Sequence, residues 1–260
     1  MGFSHGWLGW LALMMFMSSP LANAAQCQAS SGPQRVALLE LYTSEGCSSC
    51  PPADRLLSSI ASQGFGAERM VPLALHVDYW DYIGWTDRFA NPAFAARQRD
   101  LVRGAGGRTV YTPQFMLNAR DFRGMRGDTL TRAVDEINRK PAGADIKLAL
   151  KPLAKDSIEV TVTATPKTTG NAVLYVALYQ NDLSSEVRAG ENSGVRLHHD
   201  YVVREWRGPI KLSANTASAW QQVMTLKPDW IAAKMGVVAF VQDQSSGDVL
   251  QVLRLPLCPA

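Results

Sequence analysis

The first half of the chain alternates between continuous apolar runs and segments whose apolar residues fall on one helical face. The apolar runs Arg35–Thr43, Met70–Val77 and Val110–Asn118 predict strands. Three segments between or after these runs predict helices, because their apolar residues recur every three or four positions: Pro52–Ser62, Asn91–Val102 and Asp128–Asn138. This alternation predicts a mixed α/β sheet.

The second half of the chain has a different period. From Asp145 onward apolar and polar residues alternate, which is typical of strands with one buried face. The polar stretch Asn181–Gly194 interrupts this pattern and is predicted to be a functional loop or a hairpin tip. The alternating segments, separated by turn residues, predict an antiparallel sandwich: Ile146–Leu150, Ile158–Val162, Val173–Leu178, Tyr201–Trp206, Trp220–Leu226, Val237–Val241 and Val249–Leu255.

The amino-terminal segment has the character of a signal peptide. Trp7–Met17 is an apolar core that is too short to cross a bilayer, and small residues precede a predicted cleavage after Ala24. A short membrane anchor is the alternative, since the residues before this core include no Lys or Arg. The predicted organisation is a signal peptide at 1–24, an α/β domain at 25–142 and a β domain at 143–260.

Charge gives little support to a nucleic-acid or anionic-surface function. The net charge is +3 and the isoelectric point is about 8.7. Lys and Arg are scattered and form no basic run, so no nucleic-acid partner is expected.

The four cysteines are Cys27, Cys47, Cys50 and Cys258. Disulfides persist in exported proteins, and four cysteines can pair in three ways. The most economical pairing joins Cys47 to Cys50 and Cys27 to Cys258. The second of these is predicted to be a structural disulfide that ties both ends of the mature chain to its body.

The motif Cys47-Ser48-Ser49-Cys50 lies between a predicted strand and a predicted helix. The positive end of a helix favours a thiolate over a thiol, so this position suits thiol chemistry. A C-x-x-C motif alone also occurs in metal sites and in static disulfides.

The surroundings of this motif resemble the thioredoxin superfamily. A strand, the C-x-x-C motif, a helix and a second strand are followed by Tyr111-Thr112-Pro113-Gln114-Phe115. The resemblance implies that Pro113 has a cis peptide bond and faces the cysteine pair. The chain departs from ordinary thioredoxins at Gly46, where they usually have tryptophan, and at Ser48-Ser49, which replaces Gly-Pro.

Longer motifs resemble a family of predicted secreted bacterial proteins of unknown function with a thioredoxin-like amino-terminal domain. The motifs are Leu41–Asp54, Leu75–Trp85, Tyr111–Gln114 and Gly190–Gly194 with His198. The resemblance covers nearly all of the mature chain. It implies an α/β thioredoxin-like domain followed by an all-β antiparallel sandwich-like domain, and it brings no established substrate.

The two cysteines of the motif receive separate roles. Cys47 is predicted to be the attacking thiol, because the first cysteine is the exposed one in the fold that the resemblance implies. Cys50 is predicted to be the resolving thiol, and Ser48 and Ser49 to donate hydrogen bonds to a thiolate.

Four further residues are predicted to bind substrate. Thr112 and Pro113 would present backbone to a substrate chain, and Trp80 would supply an apolar platform. His76, at the end of a strand, would exchange protons near a thiol. Core packing is the alternative for Trp80, and a structural hydrogen bond is the alternative for His76.

The pair His198-His199 invites a metal interpretation. Successive strand residues point to opposite faces, so at most one of the two joins a given site. Structural roles are favoured for both, and no metal is predicted.

The favoured function is an exported thiol–disulfide oxidoreductase in the periplasm or outside the cell, without a cofactor. Its predicted partners are protein thiols and disulfides, and a membrane redox protein is a further candidate. One alternative is a Cu(I)- or Zn(II)-binding module that uses Cys47, Cys50 and His76. Another is a non-catalytic scaffold in which Cys47–Cys50 is a static disulfide.

Overall fold

A computed structural model describes residues 1–3, 27–125, 127–153, 156–168 and 170–258. The predicted signal peptide therefore lies almost wholly outside the described residues, as does its predicted cleavage position after Ala24.

Predicted and observed elements overlap in both halves of the chain, but the strand predicted at Val110–Asn118 is confined to Gln114–Leu117 and the helix predicted at Pro52–Ser62 ends at Ser58. The helix Asp128–Asn138 has the predicted bounds, and the seven period-two segments of the second half all overlap strands. The first half contains β1 (Cys27–Ser30), β2 (Ala37–Thr43), α1 (Pro51–Ser58), β3 (Met70–His76), α2 (Pro92–Gly104), β4 (Gln114–Leu117), β5 (Arg120–Asp121) and α3 (Asp128–Asn138). The second half contains β6 (Ala144–Leu153), β7 (Ser157–Pro166), β8 (Ala172–Gln180), β9 (Leu183–Glu186), β10 (Arg196–His199), β11 (Val202–Lys211), β12 (Ser218–Thr225), β13 (Met235–Asp243) and β14 (Val249–Pro256).

The largest sheet has eight strands and runs through both halves of the chain. Its order is β14-β13-β8-β11-β3-β2-β4-β5. Strand β2 is parallel to β3 and antiparallel to β4. The halves join where β11 pairs in parallel with β3, at Val202 and Ala74.

The predicted fold class, an α/β thioredoxin-like domain followed by a separate antiparallel sandwich, is wrong. The described residues are predominantly β and form three sheets, with strands of both halves in the largest one. Apolar periodicity reports which faces of a strand are buried, but it does not report which strands pair. The domain boundary at residues 142 and 143 stays a prediction.

Strands β8 and β13 separate two hydrophobic cores. Tyr179 and Phe240 point to the core beneath the helices, whereas Leu178 and Val241 point to the core beneath the second sheet. That second sheet has four strands in the order β1-β6-β7-β12. Burial on both faces explains why β8 and β13 are apolar almost throughout.

Both predicted disulfides are present. Cys27 is bonded to Cys258 across a sequence separation of 231 residues, and Cys47 is bonded to Cys50. Two disulfides are typical of a protein outside the cytoplasm. None of the helices in the described part of the chain has the length and apolar character that a bilayer crossing requires.

We predict that the double variant Cys27→Ala/Cys258→Ala has a free energy of unfolding lower by about 2 to 5 kcal/mol, because the lost cross-link closes a very long loop. Urea unfolding of the oxidised proteins measures the difference. A loss below about 1 kcal/mol would contradict a stabilising role for this bridge.

Candidate functional site

The Cys47–Cys50 pair lies in a turn that leads from β2 into the first turn of α1. We call residues 46–50 the CSSC turn. The Cys47 amide donates to the Ser44 carbonyl at 3.2 Å, and the Cys50 amide donates to the Cys47 carbonyl at 3.1 Å. Cys50 is the N-cap residue of α1, and the helix begins at Pro51, one residue earlier than predicted. These bonds hold the disulfide at the positive end of the helix.

The cysteine side chains have almost no exposed surface. Cys47 is 1% exposed and Cys50 is 0% exposed, so the expectation of an exposed Cys47 is wrong. The two serines between them are exposed. The Ser49 hydroxyl lies 3.3 Å from Cys47 Sγ and must be the donor, because a disulfide sulfur carries no proton.

The hairpin formed by β9 and β10 lies against the CSSC turn. We call residues 187–195, which connect the two strands, the hairpin tip. Its Asn192 donates from Nδ2 to the carbonyls of Glu45 at 2.8 Å and Cys47 at 3.0 Å. The carboxylate of Glu191 accepts the Ser48 amide at 2.9 Å. The polar stretch predicted as a loop or hairpin tip is therefore a hairpin that covers the CSSC turn.

The Glu191–Ser48 contact also lowers the pKa of Glu191. The backbone amide of Ser48 and then its side chain stabilise the carboxylate, so they hold the pKa of Glu191 below its usual value.

An aromatic loop, residues 78–85, packs against both the CSSC turn and the hairpin tip. A Cβ at Gly46 would come within 3.1 Å of Trp80 Cβ, and one at Gly190 within 3.2 Å of Ile83 Cδ1. Gly46 thus gives the aromatic loop room to approach the turn closely. Tyr82 stacks on Trp80 with ring centroids 6.5 Å apart and is 82% exposed.

Thr112 and Pro113 lie near the same end of the sheet. Gln114 pairs with Tyr42, so the two preceding residues lie at the end of β2 that leads into the CSSC turn. The Thr112–Pro113 peptide bond is cis, as expected, and the expectation that Pro113 faces the cysteine pair stays a prediction. Pro113 also lines an open, partly apolar cleft of about 410 Å³ together with Tyr111, Phe115, Phe122, Arg123 and Met125.

Five buried ionisable side chains lie behind the CSSC turn. We call them the ionisable cluster: Glu45, Asp54, Asp87, His76 and His199. Asp87 Oδ2 lies 2.7 Å from His76 Nδ1 and accepts the Glu45 amide at 2.9 Å. The nitrogens of His199 face Glu45 at 3.4 Å and Asp54 at 3.7 Å. Asp54 follows Cys50 by one helical turn, and Glu45 precedes Cys47 by two residues.

The members of the cluster shift one another's titration. Burial acts to lower the pKa of His76, but the carboxylate of Asp87 outweighs it and the pKa is raised. Burial acts to raise the pKa of Asp87, but His76 outweighs it and the pKa is lowered. Burial raises the pKa of Asp54, and His199 offsets part of this rise.

Glu45 responds to its neighbours in the same way. Burial acts to raise its pKa, but the nearby ring of His199 and a set of hydrogen-bond donors outweigh burial, so the pKa is lowered. One of these donors is the indole of Trp85, at 2.8 Å from Glu45 Oε2.

The structure brings together some of the predicted site residues. Cys47 is bonded to Cys50, and the Trp80 indole donates to Thr112 Oγ1 at 2.7 Å. It leaves His76 entirely inside the protein, where its ring also lies 4.9 Å from the ring of His199.

Several residues at this site were not among the predicted catalytic or substrate-binding residues. They are Glu45, Asp54, Asp87, Asn192 and His199, and their common feature is burial against the turn. The polar stretch Asn181–Gly194 and the motif Gly190–Gly194 pointed to the hairpin tip. Of the histidine pair, His199 is buried and His198 is exposed, which confirms that at most one joins a given site. Within the described ranges, no cluster of three or more His, Cys, Asp or Glu residues is arranged to hold a metal ion.

Comparison with known proteins gives a family match and two similar structures. The model of a family described as "Protein of unknown function (DUF1223)" matches residues 38–242. A structure of an Agrobacterium tumefaciens protein is 26% identical, covers 88% of this chain and 98% of its own, and has a TM-score of 0.60. HBP35 of Porphyromonas gingivalis is 16% identical, covers 87% of this chain and 76% of its own, and has a TM-score of 0.67. No curated protein matches the chain.

We predict that Asp87→Asn lowers the free energy of unfolding by about 3 kcal/mol at mildly acidic pH, because it leaves a buried imidazolium without its carboxylate. The raised pKa of His76 stabilises the fold fully below its unfolded value of about 6.5, and this contribution disappears as pH rises through the folded pKa. The lowered pKa of Asp87 stabilises the fold above its unfolded value of about 3.9.

The difference between wild type and Asp87→Asn should therefore shrink as the pH rises through the folded pKa of His76. Urea unfolding over a series of pH values measures it. The exposed Asp100→Asn is the matched control, and its effect should stay below about 0.5 kcal/mol. If the difference in free energy of unfolding between wild type and Asp87→Asn does not change with pH, Asp87 does not stabilise the protonated form of His76.

Proposed function

The chain belongs to the DUF1223 family of proteins of unknown function, and we propose that it is an exported thiol–disulfide oxidoreductase that acts through Cys47 and Cys50. The observation that carries the proposal is the Cys47–Cys50 disulfide at the junction of β2 and the N-terminus of α1. The resemblance of the surrounding motifs to the thioredoxin superfamily supports the same chemistry.

The position of the pair favours a thiolate once the disulfide is open. The helix N-terminus supplies partial positive charge, and the Ser49 hydroxyl is within hydrogen-bond reach of Cys47 Sγ. Both effects stabilise a negative sulfur and so favour the reduced, reactive form of Cys47.

The exchange proceeds through a mixed disulfide. The Cys47 thiolate attacks one sulfur of a partner disulfide, forms a bond to it, and expels the other partner sulfur as a thiolate. The Cys50 thiolate then attacks Cys47 Sγ, closes the Cys47–Cys50 disulfide and expels the second partner thiolate. The partner is reduced by two electrons and the pair is oxidised by two, and the reverse sequence oxidises a partner dithiol.

Protons must move when thiols become thiolates and when leaving thiolates are quenched. The ionisable cluster offers groups for this exchange close to the pair. Asp54 lies one helical turn after Cys50, and burial raises its pKa toward the range in which it can hold a proton. His199 and Glu45 link this carboxyl to the backbone that precedes Cys47.

The partner would be a protein in the periplasm or outside the cell, with a membrane redox protein as a further candidate. Two disulfides support an oxidising compartment. The cleft that Pro113 lines offers apolar surface beside the same end of the sheet for a partner chain.

A static disulfide in a non-catalytic scaffold is the second candidate. The observation that favours it is the burial of both sulfur-bearing side chains, at 1% and 0% exposure. In that case the pair would hold the turn against α1 and would not exchange with partners.

We predict that reduced Cys50→Ala retains a cysteine-containing peptide on Cys47 after reaction with the mixed disulfide of that peptide and nitrothiobenzoate. The reduced wild type should instead release the peptide and close the Cys47–Cys50 disulfide, because Cys50 resolves the intermediate. Mass spectrometry of the intact proteins distinguishes the two products.

The control for this experiment is Cys27→Ala/Cys258→Ala, which should release the peptide as the wild type does. The proposal fails if reduced Cys50→Ala acquires no peptide while the free peptide disulfide remains reactive toward added cysteine.

A further inference from the structure

The hairpin tip and the CSSC turn have complementary polar groups. We infer that the hairpin tip occupies the place where a partner polypeptide docks, and that it withdraws before Cys47 reacts. This inference rests on the proposed oxidoreductase function. The partner is an extended polypeptide segment that carries a disulfide or a thiol.

Contact between the tip and the turn resembles the contact that an extended peptide makes with exposed backbone. The side chain of Asn192 donates to the carbonyls of Glu45 and Cys47, at 2.8 and 3.0 Å. The carboxylate of Glu191 accepts the Ser48 amide at 2.9 Å. Backbone donors and acceptors of the turn are thus satisfied by groups equivalent to the N–H and C=O of a bound strand.

The tip also lies against the backbone of the residue whose sulfur must react. An attacking or attacked sulfur must reach Cys47 Sγ, and Cys47 is 1% exposed with the tip in place. Asn192, which holds the carbonyl of Cys47, is itself 6% exposed. Withdrawal of Asn192 would therefore free the backbone of the turn and, at the same time, open a path to Cys47.

The hairpin is built so that its tip can move as a unit. Strands β9 and β10 form a two-stranded sheet of their own, outside the eight-stranded sheet. Within the tip, the Gly194 amide donates to the Val187 carbonyl at 2.8 Å, and Ser193 Oγ donates to the Arg188 carbonyl at 3.2 Å. These internal bonds would persist when the contacts to the CSSC turn break.

The base of the hairpin stays fixed in this arrangement. His199, the last residue of β10, is buried between Glu45 and Asp54. The tip would consequently swing about the end of the hairpin, while the ionisable cluster remains closed.

The test is the rate at which dithiothreitol reduces the Cys47–Cys50 disulfide of the full chain. Asn192→Asp keeps the size of the side chain but places carboxylate oxygens against the carbonyls of Glu45 and Cys47. We expect this variant to be reduced about tenfold faster than the wild type, or more, because donated bonds are lost and repulsion replaces them. Alkylation and mass spectrometry quantify the free thiols.

Two references accompany this rate. The Cys27–Cys258 disulfide in the same sample should be reduced at an unchanged rate, which excludes general unfolding of the variant. Ser193→Ala is the matched control, since the Ser193 hydroxyl bonds within the tip, and it should leave the Cys47–Cys50 rate unchanged.

A second measurement examines the docking place. In Cys50→Ala that carries an extended cysteine peptide on Cys47, trypsin should cut after Arg188 faster than in the same protein carrying a single cysteine. The peptide displaces the tip, whereas one amino acid is too small to do so.

The outcomes separate the two proposals. If Asn192→Asp leaves the rate of Cys47–Cys50 reduction unchanged while thiols reduce the pair readily, the inference that the hairpin tip must withdraw is wrong and the proposed function stands. If the Cys47–Cys50 disulfide resists reduction in the wild type and in Asn192→Asp, both the inference about the hairpin tip and the proposed function are wrong. If trypsin cuts after Arg188 equally fast with the peptide and with a single cysteine on Cys47, the partner does not occupy the place of the hairpin tip.

Discussion

The pairing of β11 with β3 determines the architecture of the site. Val202 lies opposite Ala74, and the Ala74 amide donates to the Tyr201 carbonyl at 2.9 Å. Because β11 begins near the carboxyl end of β3, the hairpin that precedes it lies where β2 and β3 end. The second half of the chain therefore supplies the surface that covers the CSSC turn.

The covering and the burial beneath it form one unit. Polar side chains of the hairpin tip satisfy the backbone of the CSSC turn from outside, and the ionisable cluster lies against it from inside. His199 belongs to the same hairpin and contacts both Glu45 and Asp54. The base of the hairpin is buried, since His199 is 1% exposed, whereas Glu191 at its tip is exposed. This difference in burial is the physical basis for a hairpin tip that moves while the ionisable cluster stays buried.

Local features of the fold could be predicted from the sequence, but strand partners could not. The bounds of α3 and the overlap of all seven alternating segments with strands follow from periodicity. The two halves join where β11 pairs with β3 in the largest sheet and where β1 pairs with β6 in the four-stranded sheet, and periodicity encodes neither pairing. Similarly, the motif revealed the cysteine pair, while the role of Asn192 depends on a hairpin that lies more than a hundred residues away in sequence. Polar residues in a polar stretch show no local signal of burial.

The equilibrium between the disulfide and dithiol forms of Cys47–Cys50 tests the central claim most directly. Wild-type protein is equilibrated with glutathione or dithiothreitol couples, and the reduced fraction is measured by alkylation and mass spectrometry. An exchanging pair should have a reduction potential between about −300 and −120 mV, the range of thiol–disulfide oxidoreductases. A potential below about −300 mV, as structural disulfides have, would contradict the account and leave Cys47–Cys50 as a static bridge.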